Sequence, residues 1–231
     1  MTLISESQIR SCDVFRKASD NTIASLIANS RLVNFVKNRQ IVGQADPSTD
    51  VYLVVEGIVR AKSYSEKGKE VSYLDIKPGE LFGEFSAIDN APRSTAILAV
   101  CDCVVAKFSA QIFRDSISGD PNVAMALIEL LVEKNRALTE RIHEFGTMAV
   151  RYRVQSELLR LAEAVSDDDA QSVSFDIPTH AELANRVCTH REAVTKELNY
   201  LASFGLFKIV KSIVHVKDYQ RFRQVAGHTD W

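Results

Sequence analysis

The hydrophobic period of this chain changes at Asp120-Pro121, and that change limits its possible folds more than any other feature. Before it, residues 31–110 break into short runs rich in β-branched and aromatic side chains, at 51–55, 71–76, 96–100 and 104–108. Turn residues separate them: Gly43, Asp46-Pro47, Gly57, Lys67-Gly68, Pro78-Gly79 and Pro92. Many short strands at close spacing form a small barrel or roll. After the change, apolar residues recur in steps of three and four, the spacing of one helix face. Asp120 suits the cap and Pro121 the first turn of a long helix, which Gly146 can end near Phe145. Residues 5–30, with Ile9, Phe15, Ile23, Leu26 and Ile27 apolar, predict amphipathic helix ahead of the strands. Residues 147–164, with Val154, Leu158, Leu159 and Leu161, predict another helix after them.

Along the long helix, Ile128, Leu131, Asn135, Leu138, Ile142 and Phe145 form a coiled-coil seam, in which Asn135 would fix register and strand number. Such a stripe also suits a helix packed on its own barrel. The length of the helix and its charged opposite face (Glu129, Glu133, Lys134, Arg136, Glu140 and Arg141) favour a dimer interface.

Composition narrows the function. With 231 residues and 46% apolar content, the chain can bury real cores in one large domain or two smaller ones. The net charge of −2 hides an asymmetry: residues 1–146 carry 17 Lys+Arg against 19 Asp+Glu, and residues 177–231 carry 8 against 5. A mildly basic end fits DNA contact there. There is no signal-like leader and no run of 18 apolar residues, so the expected location is the cytoplasm, with no membrane partner. Cys12, Cys101, Cys103 and Cys188 are scattered without zinc spacing and read as buried or half-buried thiols. The carboxylates at 167–169 read as a solvated loop.

Residues 79–96 hold the most informative chemistry. Gly83 lets backbone approach a ligand closely. Glu84 offers an acceptor for a ribose hydroxyl, and the helical turn after it offers amides to an anion. Arg93 is a planar, permanent cation suited to phosphate, with the Ser94 hydroxyl beside it. An isolated Arg and Glu would be an ion pair on a surface turn. The ordered string Phe82-Gly83-Glu84 followed by Pro92-Arg93-Ser94 instead resembles the phosphate-binding cassette of cyclic-nucleotide-binding domains, and residues 52–57 and 77–79 match the same domain. This resemblance implies that Glu84 binds the ribose 2′-hydroxyl and that Arg93 and Ser94 bind the cyclic phosphate. It also implies that Gly83 lines the pocket, with Phe85 and Thr95 beside it.

Near the other end, Thr179 with Glu182 and Thr189 with Glu192 are two capping boxes ten residues apart. They predict two short helices, with Leu183, Ala184 and Val187 inward on the first and Ala193, Val194, Leu198 and Leu201 inward on the second. The second helix starts with His190, Arg191 and Glu192, and Lys196 follows one turn on. Arginine pairs bidentately with guanine and glutamate accepts from cytosine, as in a recognition helix in the major groove. Two capped helices alone also make an ordinary hairpin. The alternating runs in 204–216, with Lys208 and Lys211, add a wing.

Taken from end to end, the chain resembles the CRP/FNR family, whose recognition-helix signature corresponds here to Thr189, His190, Arg191, Glu192 and Lys196. The resemblance implies an α+β fold in three parts: a cyclic-nucleotide-binding β-roll (jelly-roll) at 1–119, a dimerisation helix and hinge at 120–146, and a winged helix-turn-helix at 147–231. It implies a homodimeric, non-enzymatic transcription regulator that binds two-fold symmetric double-stranded DNA when loaded with cyclic AMP, with RNA polymerase as a partner. Thr139 would reach the purine, although the family's adjacent Thr-Ser pair is here Leu138-Thr139. Cyclic GMP is the second candidate, because Thr95 can face a guanine edge. Cys188 stands where the family commonly has glycine, which predicts an altered turn, and Lys196 is a poorer bidentate reader than arginine. An iron–sulfur sensor needs several N-terminal cysteines and a haem sensor a histidine. The chain has Cys12 alone near its start and no histidine before His143, so no metal, haem or cluster is expected. The rival readings are a nucleotide-binding module acting on a protein partner, a family member with another effector, and an enzyme, for which no nucleophile–base set is present.

Overall fold

The computed structural model describes residues 3–64, 70–167 and 169–227; the predicted turn at Lys67-Gly68 and residue Asp168 lie outside the described residues. The chain divides into two compact units, Met1–Arg136 and Ala137–Trp231. The first begins with helices α1 (Glu6–Arg10) and α2 (Asp20–Ala28) and strands β1 (Arg31–Phe35), β2 (Gln40–Val42), β3 (Val51–Glu56), β4 (Val59–Tyr64), β5 (Glu70–Ile76) and β6 (Leu81–Phe82). It continues with α3 (Glu84–Asp89), β7 (Ala96–Ala99), β8 (Cys103–Phe108), α4 (Ala110–Gly119) and the start of α5 (Pro121–Thr147). The strands form two four-stranded antiparallel sheets, ordered β1-β8-β3-β6 and β2-β7-β4-β5.

The first sheet is covered on both faces. Val51, Leu53, Ala106 and Phe108 meet the helical layer, where Phe15 stands edge-on to Phe108 and Phe113 at 6.2 and 6.4 Å. Tyr52, Val54, Phe82 and Val105 meet Val42, Val59 and Ile97 of the second sheet. A strand buried on both faces needs no polar alternation, which is why 51–55 reads as an unbroken apolar run. Each such side chain taken out of water contributes about 1.5–3 kcal/mol.

The long helix starts where the sequence predicts. The Asp120 carboxylate accepts from the Asn122 amide (3.1 Å), the Ser19 amide (2.7 Å) and the Thr22 hydroxyl (3.0 Å), joining the starts of α5 and α2. Backbone hydrogen bonding from Ser19, with the help of the Ser19 and Thr22 side chains, holds this carboxyl below its usual range against the opposing effect of burial. The end differs from the expectation. Gly146 stays out of the left-handed region, so α5 continues through it to Thr147. Helix α4, which follows the Ser109 cap, was not expected from the sequence.

The second unit holds α6 (Val150–Glu163), β9 (Val173–Asp176), α7 (His180–Arg186), α8 (Arg191–Ser203), β10 (Lys208–Val210), β11 (Ile213–Val216) and α9 (Tyr219–Gly227). An antiparallel sheet ordered β10-β11-β9 packs with the helices around Val154, Leu158, Leu183, Val194, Leu198 and Phe222. Strand β9 and helix α9 carry no strong sequence signal of their own. Thr179 and Glu182 close the predicted capping box on α7. The second box does not form. His190, extended at φ −104° and ψ 150°, is the N-cap of α8 and makes no side-chain capping bond, while the Thr189 amide donates to the Ala184 carbonyl at 2.9 Å. The helices therefore start at His180 and Arg191, one residue further apart than predicted. Cys188 itself takes the left-handed conformation, φ 52°, so the turn keeps the shape a glycine would give it. That conformation costs a non-glycine residue roughly 1–2 kcal/mol.

Candidate functional site

Gly83 of the cassette and two residues outside it, Ser48 and Asp50, converge on the buried guanidinium of Arg93. Gly83, at φ 86°, caps α3 in the left-handed conformation and turns its carbonyl toward Arg93. A Cβ at Gly83 would lie 2.5 Å from Arg93 Nη1 and 2.7 Å from the Asp50 carbonyl, so only glycine fits there. Arg93 is 4% exposed. Its Nε donates to Ser48 Oγ (3.2 Å), Nη1 to the Gly83 carbonyl (2.9 Å) and Nη2 to the Asp50 carbonyl (2.6 Å). All three acceptors are neutral, and among the described residues no carboxylate pairs with this cation. Two of the five guanidinium N–H donors are left over. Asp46 feels the charge from further away: its carboxyl is held low chiefly by the Ser48 amide and hydroxyl, with Arg93 adding to the effect. A buried cation without a counter-ion is costly, and an anion arriving beside it removes that cost.

Glu84, the first residue of α3, is 3% exposed. Its Oε1 accepts from Lys134 Nζ of α5 at 2.6 Å, and Oε2 remains as an acceptor. The same ammonium lies 5.7 Å from the Phe85 ring, so Phe85, 44% exposed, faces that lysine. Ser94 is exposed and Thr95 half-buried. Thr139 is exposed and belongs to the second unit. Sequence reasoning placed Lys134 on the charged face of α5 and passed over Ser48 and the Asp50 carbonyl. Spacing held the missing signal for the lysine. Val123, Leu127 and Leu130 pack on the core of the first unit, and Lys134 continues their row.

In the second unit, Arg191, Glu192, Thr195, Lys196 and Asn199 line an open concavity of about 570 Å³ on α8. Arg191, Glu192 and Lys196 are exposed and make no ion pair among the described residues. His190 is also exposed, and Thr189 is half-buried. Lys208 and Lys211 are exposed on the β10–β11 hairpin, where Lys211 takes φ 59° to make the turn.

Comparison with known proteins recognises two domains in the chain. The family model for cyclic nucleotide-binding domains matches residues 32–120, and the model for Crp-like helix-turn-helix domains matches residues 152–225. The chain is 24% identical over 215 residues to the CRP-like cAMP-activated global transcriptional regulator of Mycobacterium tuberculosis, covering 92% of this chain and 96% of that one. It is 29% identical over 192 residues to the cyclic AMP receptor protein of Thermus thermophilus, covering 83% and 86%. The chain belongs to the CRP/FNR family. CRP/FNR proteins of this kind are cyclic-nucleotide-responsive transcription regulators, not enzymes. The fold is shared with the c-di-GMP-responsive global regulator CLP of Xanthomonas campestris (TM-score 0.73, 22% identity, 86% of this chain and 99% of that one). It is shared also with CooA of Carboxydothermus hydrogenoformans (TM-score 0.75, 18% identity, 93% and 94%). Among the described residues no cluster of His, Cys, Asp and Glu is placed to hold a metal, and no helix is long and apolar enough to cross a membrane.

Two features of this CRP/FNR member were not legible in advance. Of the six predicted seam residues, Ile128, Leu138 and Ile142 are 53%, 53% and 71% exposed, whereas Leu131 packs on the core of its own unit. Met125 and Val132, absent from the predicted stripe, are exposed with Ile128 and keep the three-and-four spacing. Asn135 is exposed, and Phe145 lies 5.6 Å beneath the Arg153 guanidinium. The second feature is a buried ionic cluster. Glu157 meets Arg141 (2.6 Å), Arg160 (3.2 Å) and Arg186 (3.2 Å), and Glu144 meets Arg160 (2.6 Å), tying the end of α5 to α6 and α7.

Proposed function

We propose that this CRP/FNR member is a homodimer that binds cyclic AMP in its first unit and, when loaded, a palindromic DNA site through paired α8 helices. The phosphate sits against Arg93 and Ser94, and the ribose 2′-hydroxyl against Glu84 Oε2, with Gly83 lining the pocket and Phe85 and Thr95 at its edge. Thr139 reaches the purine. In this reading residues 1–119 sense the nucleotide, 120–146 carry the dimer seam and hinge, and 147–231 bind DNA. Ile128, Asn135, Leu138, Ile142 and Phe145, joined by Met125 and Val132, face the partner helix, and Leu131 backs them. Thr189, His190, Arg191, Glu192 and Lys196 meet the DNA. The protein works in the cytoplasm with RNA polymerase. The nucleotide acts by binding one arrangement of the dimer more tightly than another, favouring the one whose recognition helices sit ~34 Å apart.

The observation that carries this reading is the buried Arg93 cation, which has neutral partners and unused donors and bonds the carbonyl of Gly83, the residue before the buried Glu84. One phosphodiester anion with an adjacent hydroxyl satisfies both residues. Cyclic GMP is the second candidate, supported by the half-buried Thr95 beside the cassette. Calorimetry tests the reading: cyclic AMP, cyclic GMP and cyclic di-GMP are titrated into the wild-type chain and into Arg93→Ala, with circular dichroism to confirm folding. Cyclic AMP should bind the wild type tightest and the variant not at all. Equal affinity in the folded variant removes the cassette from the site. Operator affinity that does not change when cyclic AMP is added removes the switch.

A further inference from the structure

We infer that Asn199 is an adenine reader on α8, a fourth base-contacting residue beyond the Arg191, Glu192 and Lys196 signature. The inference rests on the DNA-binding reading and sharpens it to one base type. Asn199 lines the α8 concavity, is exposed, and its side-chain amide makes no hydrogen bond among the described residues. Its neighbour Thr195 is different. The Thr195 hydroxyl donates to the Arg191 carbonyl at 3.0 Å and lies 2.7 Å from His180 Nδ1. A hydroxyl has one proton, so a Thr195 that gives it to Arg191 takes a hydrogen bond from the histidine. This fastens α8 to α7 and leaves Thr195 no proton for a base.

The concavity therefore presents two cations, one carboxylate and one neutral amide. Of these, the amide carries a donor and an acceptor side by side, the pattern that matches N7 and N6 of adenine in the major groove. Its placement suits that role. At about 100° per residue, Asn199 lies about 20° from the line of Glu192, between Arg191 and Lys196 around the helix and not at the edge of their face. It stands about 10 Å along the axis from Glu192, so the two side chains cannot meet the same base pair.

The test is selection from randomised duplex DNA with the full chain in saturating cyclic AMP, for the wild type, Asn199→Ala and Asn199→Gln. Position 199 is exposed and alanine is a good helix former, so the variants should fold. The wild type should enrich an A·T pair at a position distinct from the one facing Glu192, preferring it roughly tenfold or more. Asn199→Ala should lose that preference alone and keep the same dependence of affinity on salt. Asn199→Gln should recover part of it, since glutamine offers the same pair of groups. An unchanged site in Asn199→Ala overturns the inference. So does an equal loss on every sequence, the mark of a neutral contact to the phosphate backbone. If the wild type enriches no symmetric site, the DNA-binding reading falls first and the Asn199 role with it.

Discussion

Replacing Glu157 with glutamine removes one negative charge from a buried cluster while keeping the shape of the side chain. The Glu157 side chain is 3% exposed and touches Arg141, Arg160 and Arg186, whose side chains are 23%, 31% and 9% exposed. Burial by itself would raise this carboxyl, but the charges of Arg141, Arg160 and Arg186 outweigh it and hold the group below its usual range. Removing one partner from a buried pair costs about 3–5 kcal/mol, because the other charge is left uncompensated. Arg160 keeps Glu144, and Arg141 and Arg160 keep some water, which places the loss at the low end, about 3 kcal/mol. For a unit of this size, that lowers Tm by roughly 12–24 °C. Thermal unfolding by calorimetry measures it directly. The charge contributes stability above the ordinary glutamate pKa, and the contribution is lost as pH falls through the lower folded value. Glu157→Gln should therefore also flatten the acid side of the stability profile. A double variant with Arg186→Leu should lose less than the sum of the two singles. A single-variant loss below about 1 kcal/mol, or an unchanged acid profile, would refute the claim that three guanidinium groups depend on this carboxylate.

Three further outcomes follow from local geometry. Gly83→Ala drives a Cβ to 2.5 Å from Arg93 Nη1 at a left-handed φ, so it should lower stability by about 1–3 kcal/mol and weaken nucleotide binding at least tenfold, as read by urea unfolding and calorimetry. Asp120→Ala removes the acceptor shared by Ser19, Thr22 and Asn122 and should cost about 1–2 kcal/mol in urea; no change would mean that the joint between α2 and α5 is solvated. Cys12, buried at 2% exposure and pushed up to about 11 by burial, should resist iodoacetamide at neutral to mildly alkaline pH in the folded chain and react only once urea unfolds it, with mass spectrometry locating the adduct.

The cassette and the helix-turn-helix were legible because each is a local device. Gly83, Glu84, Arg93 and Ser94 lie within one short segment, and the Thr179–Glu182 box is closed by hydrogen bonds three residues apart. The misreadings arose where a backbone reversal or the packing of a whole unit overrode the local pattern. Thr189 looked like a cap, but its amide turned back to Ala184 once Cys188 had reversed the chain. Leu131 looked like part of the seam, but the core of the first unit claimed it, and the exposed stripe passes through Val132.

The amino-acid order by itself determined the kinds of element, the cassette and the helix pair, since period, capping and turn chemistry act between residues a few positions apart. Tertiary structure alone decided that Arg93 meets neutral acceptors, that Lys134 reaches Glu84, and that Glu157 gathers Arg141 and Arg186 beside its own helix neighbour Arg160. Charge and burial depend on distance through space, and folding brings those groups together across 16 to 50 residues of chain.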